Sequence, residues 1–182
     1  PFVATAILQL HEQGLISLDS DISAYLPFDV IHPRCPDKVI TIRMLLKHMA
    51  GLRQELRYEF YWDTEGKYPS YIHGPNPTIL QMSLAEYLKE SFSPEGSNYD
   101  PGIWKYHPNE KYSYSNAGFK LLHYLVECVS GHSFEEYMKE NVFSPLNMTN
   151  SGVNSSDFIG NHATPYVRIS GTDHEMELYS NS

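Results

Sequence analysis

Tyr112-Ser113-Tyr114-Ser115-Asn116, preceded by Pro108-Asn109-Glu110-Lys111 and followed by Ala117-Gly118-Phe119, decides how the rest of the chain is read. A polar turn rich in phenols, hydroxyls and an amide leads directly into an apolar helix. Ser115 or Asn116 supplies the N-cap, because its side-chain oxygen accepts from backbone N–H groups left free in the first helical turn. Leu121, Leu122, Leu125, Val126 and Val129 then recur every three to four residues along one face. Tyr114 and Asn116 alternate along the extended segment, which points both into whatever lies in front of the helix. An ordinary capped helix after an aromatic turn would show the same five residues, since short motifs recur by chance.

Composition narrows the classes of function. A chain of 182 residues is long enough for one domain that buries roughly 70% of its unfolded surface. Hydrophobic content of 41% and charged content of 19% suit a globular protein rather than a disordered one. A formal charge of −9 offers no basic face for counterion release, so nucleic acid is not expected as a partner. No apolar run approaches the roughly 20 residues that span a bilayer. The chain opens at Pro1 in what reads as the middle of a helix. The original N-terminus is therefore expected upstream, and the lack of a visible targeting signal carries no information. Cys35 and Cys128 form no Cys-x-x-Cys and no disulfide framework. The nine histidines are scattered, without His-Glu-x-x-His or any paired spacing, so they read as surface or core residues. No metal and no cofactor are expected.

Working outward along the chain, Phe2, Val3, Ala6, Ile7, Leu8 and Leu10 describe a wide apolar stripe on a helix from about Pro1 to Gln13. Gly14 ends it as a left-handed cap. A helix so apolar is expected to be central, and another chain or a missing segment is expected to cover what this chain leaves bare. Asp21 to Pro27 reads as a short helix closed by proline. Val39-Ile40 reads as extended. Thr41 then caps a helix over Ile42–Met49 that stops at Gly51. Residues 53–82 form a long aromatic insertion, with Tyr58, Phe60, Tyr61, Trp62, Tyr68 and Tyr71 but no clean period. Both a substrate-facing wall and a packed surface insertion fit such a stretch. Ser83-Leu84-Ala85-Glu86 and Ser133-Phe134-Glu135-Glu136 are capping boxes, opening helices to about Ser91 and Val142. Asp100-Pro101-Gly102 marks a turn, and Tyr166–Ile169 a strand.

The ordered set Pro108-x-Glu110-x-Tyr112-x-Tyr114-Ser115-Asn116-x-Gly118, Val129-Ser130-Gly131, Phe134-Glu135-Glu136-Tyr137 and Pro145-Leu146-x-Met148 resembles the serine β-lactamase and penicillin-binding-protein family. The match is to its class C β-lactamase, D,D-peptidase and esterase branch. The run Phe2–Pro27 is similar to the segment that follows the family's Ser-x-x-Lys motif. Ile40-Thr41-Ile42-Arg43-x-Leu45-Leu46-x-His48-x-x-Gly51-Leu52 is similar to another family segment. That segment usually carries Thr, Thr and Ser where this chain has Lys47, Met49 and Ala50, a loss of three hydroxyls near the site. The resemblance implies an α+β fold, with an antiparallel sheet flanked by helices. These 182 residues would be a single partial domain, mainly its helical part and predominantly α. It also implies that Tyr114 is catalytic, moving a proton beside a serine and a lysine. Asn116 would bind substrate, and His48 would have a structural hydrogen-bonding role. A small-molecule or peptidoglycan-like substrate and a periplasmic or secreted location follow from the same resemblance.

Acyl transfer of this kind needs a serine nucleophile, a base, a proton relay and an oxyanion hole. Neither Ser-x-x-Lys nor Lys-Thr-Gly occurs in the 182 residues, nor does a Gly-x-Ser-x-Gly elbow. A phenol with a pKa of about 10 acts as a base only beside a cation, and in the family that cation is the lysine. Two readings therefore stand. One is a piece of a serine hydrolase acting on β-lactams, D-alanyl peptides or esters, inactive by itself. The other is a non-catalytic binding or scaffold protein of the same fold.

Overall fold

A computed structural model describes residues 1–54, 61–62, 69–70, 82–153, 166–169 and 172–175. Five α-helices organise them: α1 (Phe2–Glu12), α2 (Ile42–Leu46), α3 (Leu84–Phe92), α4 (Asn116–Ser130) and α5 (Phe134–Met138). Two short antiparallel hairpins complete the set. β1 (Tyr61–Trp62) pairs with β2 (Pro69–Ser70), and β3 (Tyr166–Ile169) pairs with β4 (Thr172–Glu175). The described part is thus predominantly helical.

The centre is α4, which packs against α1, α2, α3 and α5. Its apolar stripe explains this: Leu121, Leu122, Leu125 and Val126 have no exposed surface. Close approach to α2 depends on Gly118, where a Cβ would lie 3.3 Å from Leu45 and 3.6 Å from Leu52. Gly131 closes the helix in the left-handed region, its N–H bonded to Glu127 O at 2.9 Å.

Within this chain the first helix is not the centre, and it shows the bare apolar face that the sequence reading leaves for another chain or segment to cover. α1 lies against α4 and α5, burying Ala6, Ile7 and Leu10, while Phe2 and Leu8 stay 41% and 47% exposed. Two faces of its wide stripe thus have different fates, because one helix cannot be surrounded by the packing partners described here. The Phe2 ring does find the edge of Phe143, with centroids 5.3 Å apart.

Capping was read correctly because its chemistry is local. Thr41 accepts from Met44 N–H, Ser83 and Ser133 form full capping boxes, and Ser115, not Asn116, caps α4 by accepting from Gly118 N–H. Asn116 is instead the first helical residue. Two helix lengths were overestimated, whereas the helix expected to reach about Val142 keeps its extent and changes only its type. α2 ends at Leu46 because His48 takes a positive φ of 56°, which breaks the helical run before Met49. Asp21–Pro27 contains only a 3₁₀ turn, Ile22–Ala24. α5 gives way after Met138 to a π-helical turn over Lys139–Phe143. The strand at Tyr166–Ile169 is present. Apart from β1 and β2, the aromatic insertion and its substrate-facing reading lie outside the described residues. No helix among the described residues is long and apolar enough to cross a membrane.

Candidate active site

The Tyr-x-Asn turn is held by a rail of backbone, residues 48–54. Met49 O accepts from Asn109 N–H at 2.8 Å, and Gly51 O accepts from Lys105 and Tyr106 N–H at 2.8 and 3.0 Å. Arg53 N–H donates to Ile103 O at 2.8 Å. Leu52 O takes the Ser113 hydroxyl at 2.8 Å, and Gln54 O takes the Asn116 N–H at 2.8 Å. A single β-bridge, Leu52 with Trp104, lies in the same ladder. The chain from Ile103 to Asn116 is thereby laid along the end of α2, and α4 starts where the rail ends.

His48 is the fastening point. Its backbone O accepts from Ser113 N–H at 2.9 Å, and its Nδ1 accepts from Ser115 N–H at 3.1 Å. The ring also meets Tyr112, Tyr114 and Phe119, at centroid distances of 5.8, 4.6 and 4.9 Å. Because Ser115 N–H donates to Nδ1, the neutral ring carries its proton on Nε2. The structural role expected for His48 is what the geometry gives. The rail bonds through main-chain groups and the Ser113 hydroxyl.

Burial pushes the His48 imidazole below its ordinary 6.5. The sign of the consequence follows. Below about pH 6.5 the unfolded chain takes up a proton that the folded chain resists, so stability present above that pH is lost as pH falls through the folded value. Protonation would also put a proton on Nδ1, against the Ser115 N–H. Chemical-denaturation midpoints should therefore fall between pH 7 and 5, with a shallower slope in His48→Asn, asparagine being tolerant of the positive φ. An equal slope in the variant would assign the effect to other groups.

The two residues read from the sequence as functional sit together at the start of α4. Tyr114 is 50% exposed, with its ring on His48, and Asn116 is half-buried at the first helical position. They share one end of the helix, though not one continuous extended strand. Their side chains are presented from a rigid mount, since the main chain of Ser113, Ser115 and Asn116 is hydrogen-bonded to 48–54.

Sequence reasoning missed one constellation. His32, Cys35 and His107 come together beside Trp104 and Tyr106, upstream of the tyrosine turn. The separation of 72 positions between Cys35 and His107 hid it. The only signal available was the short spacing His32-x-x-Cys35.

Comparison with known proteins identifies the relatives of this chain. The Beta-lactamase family profile matches residues 1–174. Penicillin-binding protein 4* of Bacillus subtilis is 30% identical over 172 residues, covering 92% of this chain and 32% of that protein. A penicillin-binding protein structure from Bacillus halodurans is 28% identical, with a TM-score of 0.63, covering 96% of this chain and 48% of that one. The octameric penicillin-binding protein homologue from Pyrococcus abyssi, at 24% identity and a TM-score of 0.72, shares the fold over 96% of this chain and 36% of its own. The chain spans about a third of the length of the curated relatives it matches. With its helical core, its tyrosine turn and this profile in agreement, the chain belongs to the serine β-lactamase and penicillin-binding-protein family, with the β-lactamase/transpeptidase-like fold.

Proposed function

We propose that this chain is the helical part of a serine hydrolase that works by acyl transfer on β-lactams, D-alanyl peptides or esters. In this reading Tyr114 relays the proton and Asn116 holds the substrate amide. The nucleophilic serine, its lysine and the oxyanion hole come from residues outside these 182. A covering segment or subunit over Phe2 and Leu8 belongs to the same reading.

One observation carries it. The Tyr114 phenol is half exposed on a mount that hydrogen bonds hold rigid. A phenol presented from a fixed main chain at a helix start, two residues before Asn116, suits a group that must reach a reacting atom.

The test is covalent labelling of the full-length protein with a fluorophosphonate and with a β-lactam, followed by peptide mapping. The expected adduct is stoichiometric and lies on a serine of a Ser-x-x-Lys outside residues 1–182. An adduct on a serine within them would overturn the assignment of roles. Absence of any adduct, in a protein lacking Ser-x-x-Lys altogether, would favour the non-catalytic binding reading.

A further inference from the structure

The His32, Cys35 and His107 cluster has no part in the acyl-transfer scheme, yet it is built from two separate loops. His32 is fully buried. Its Nε2 lies 3.0 Å from Tyr106 O, and its Nδ1 accepts from Arg34 N–H at 3.1 Å. These two contacts fix the tautomer, with the proton on Nε2 and the lone pair on Nδ1. Cys35 Sγ stands 2.9 Å from His107 Nδ1, and the two imidazoles stack with centroids 5.6 Å apart. One donor atom from each of the three side chains lies within 4.8 Å of the others.

We propose that His32, Cys35 and His107 form a zinc site that staples the 32–35 loop to the 104–107 segment. Tetrahedral zinc at about 2.0–2.1 Å from nitrogen and 2.3 Å from sulfur sets its ligands roughly 3.3–3.6 Å apart. The cluster needs adjustments of about an ångström to reach that spacing. Donor chemistry selects the ion. A thiolate and two imidazoles suit zinc, whereas calcium and magnesium want oxygen ligands. The surroundings supply a support that zinc-binding histidines usually have, a backbone carbonyl accepting the other ring N–H, here Tyr106 O.

Binding balances simply. Cys35 gives its thiol proton to solvent, His32 Nδ1 exchanges the Arg34 N–H for the metal, and His107 exchanges its contact with Cys35 for a shared ion. A fourth position remains for water. The 104–107 segment is also the one that Gly51 O holds, so the staple would stiffen the approach to the tyrosine turn from the opposite side. Glu110, whose carboxylate accepts from His107 N–H at 2.8 Å, lies next to the same ligand.

Cobalt(II) replaces zinc as a spectroscopic probe. Metal-free, reduced full-length protein titrated with cobalt should develop a sulfur-to-cobalt charge-transfer band that saturates at one ion per chain and disappears when zinc is added. Cys35→Ser should abolish the band, and Cys128→Ser should leave it intact. His107→Gln, at an exposed position, should weaken cobalt binding by about 100-fold or more, since even supporting residues of metal sites are worth 10–100-fold. It decides the matter if Cys35→Ser does not fold. No band at one equivalent, or a band that survives loss of Cys35 or one unchanged by loss of His107, would show a hydrogen-bonded cluster and no site.

Discussion

Tyr114→Phe in the full-length protein should lower turnover by roughly 10²-fold or more while leaving the fold intact, the loss expected for a general acid–base group. The phenylalanine keeps the ring that packs on His48 at 4.6 Å, so only the hydroxyl goes. The main-chain bonds of Ser113, Ser115 and Asn116 to residues 48–54 do not involve the Tyr114 side chain and should persist. The fall should appear in kcat as well as in kcat/KM, because the lost interaction is made with a moving proton rather than with bound substrate. Wild-type turnover in the variant, with the nucleophile verified, would reduce the motif to a helix-capping turn.

Gly51→Ala should cost about 2–5 kcal/mol, the sum of a left-handed residue carrying a Cβ and an overpacked contact. Gly51 has a φ of 83°, and a Cβ there would overlap the Tyr106 carbonyl, with a neighbouring carbonyl 3.3 Å away at His107. Those atoms are main chain, so they cannot rotate aside as a flexible side chain would. A loss of this size is a large share of the 5–15 kcal/mol typical of a domain. Gly14→Ala is the control. Its φ is 74°, but a Cβ there would meet nothing within 4 Å, so about 1–2 kcal/mol of backbone strain is all it should cost. Urea denaturation of both variants checks the difference. Equal losses would mean that the rail yields and the close approach to Tyr106 is not a constraint.

The two substitutions probe different parts of one arrangement. Tyr114 tests what the turn presents, and Gly51 tests what holds it. Neither touches the side chains of His32, Cys35 or His107, although a Cβ at Gly51 would lie 3.3 Å from the His107 carbonyl and would overlap Tyr106, whose carbonyl also lies 3.0 Å from His32 Nε2. Metal content should accordingly be measured in Gly51→Ala alongside its stability.

By itself the sequence determined what depends on neighbours within a few residues. The caps at Thr41, Ser83 and Ser133 were legible, and that of α4 down to Ser115 or Asn116, because a side-chain oxygen and the amide it satisfies lie three residues apart. The glycine stops at Gly14 and Gly131 were legible because a positive φ is a property of one residue. The stripe Leu121–Val129 was legible because the helical period is fixed. The order of motifs around Tyr114 and Asn116 was enough to point to the family.

Only the tertiary structure decided what depends on distant segments. It made α4 rather than α1 the central helix, since which apolar stripe is enclosed depends on how many neighbours pack round it. It made His48 the fastener of Ser115, across 67 residues, and turned α2 short at that same residue. It brought Cys35 to His107 across 72 residues, where no spacing rule reaches. The physical reason is the same in each case. Local dihedral and capping preferences are written residue by residue, whereas a site assembled from two loops exists only after long-range packing has closed the chain upon itself.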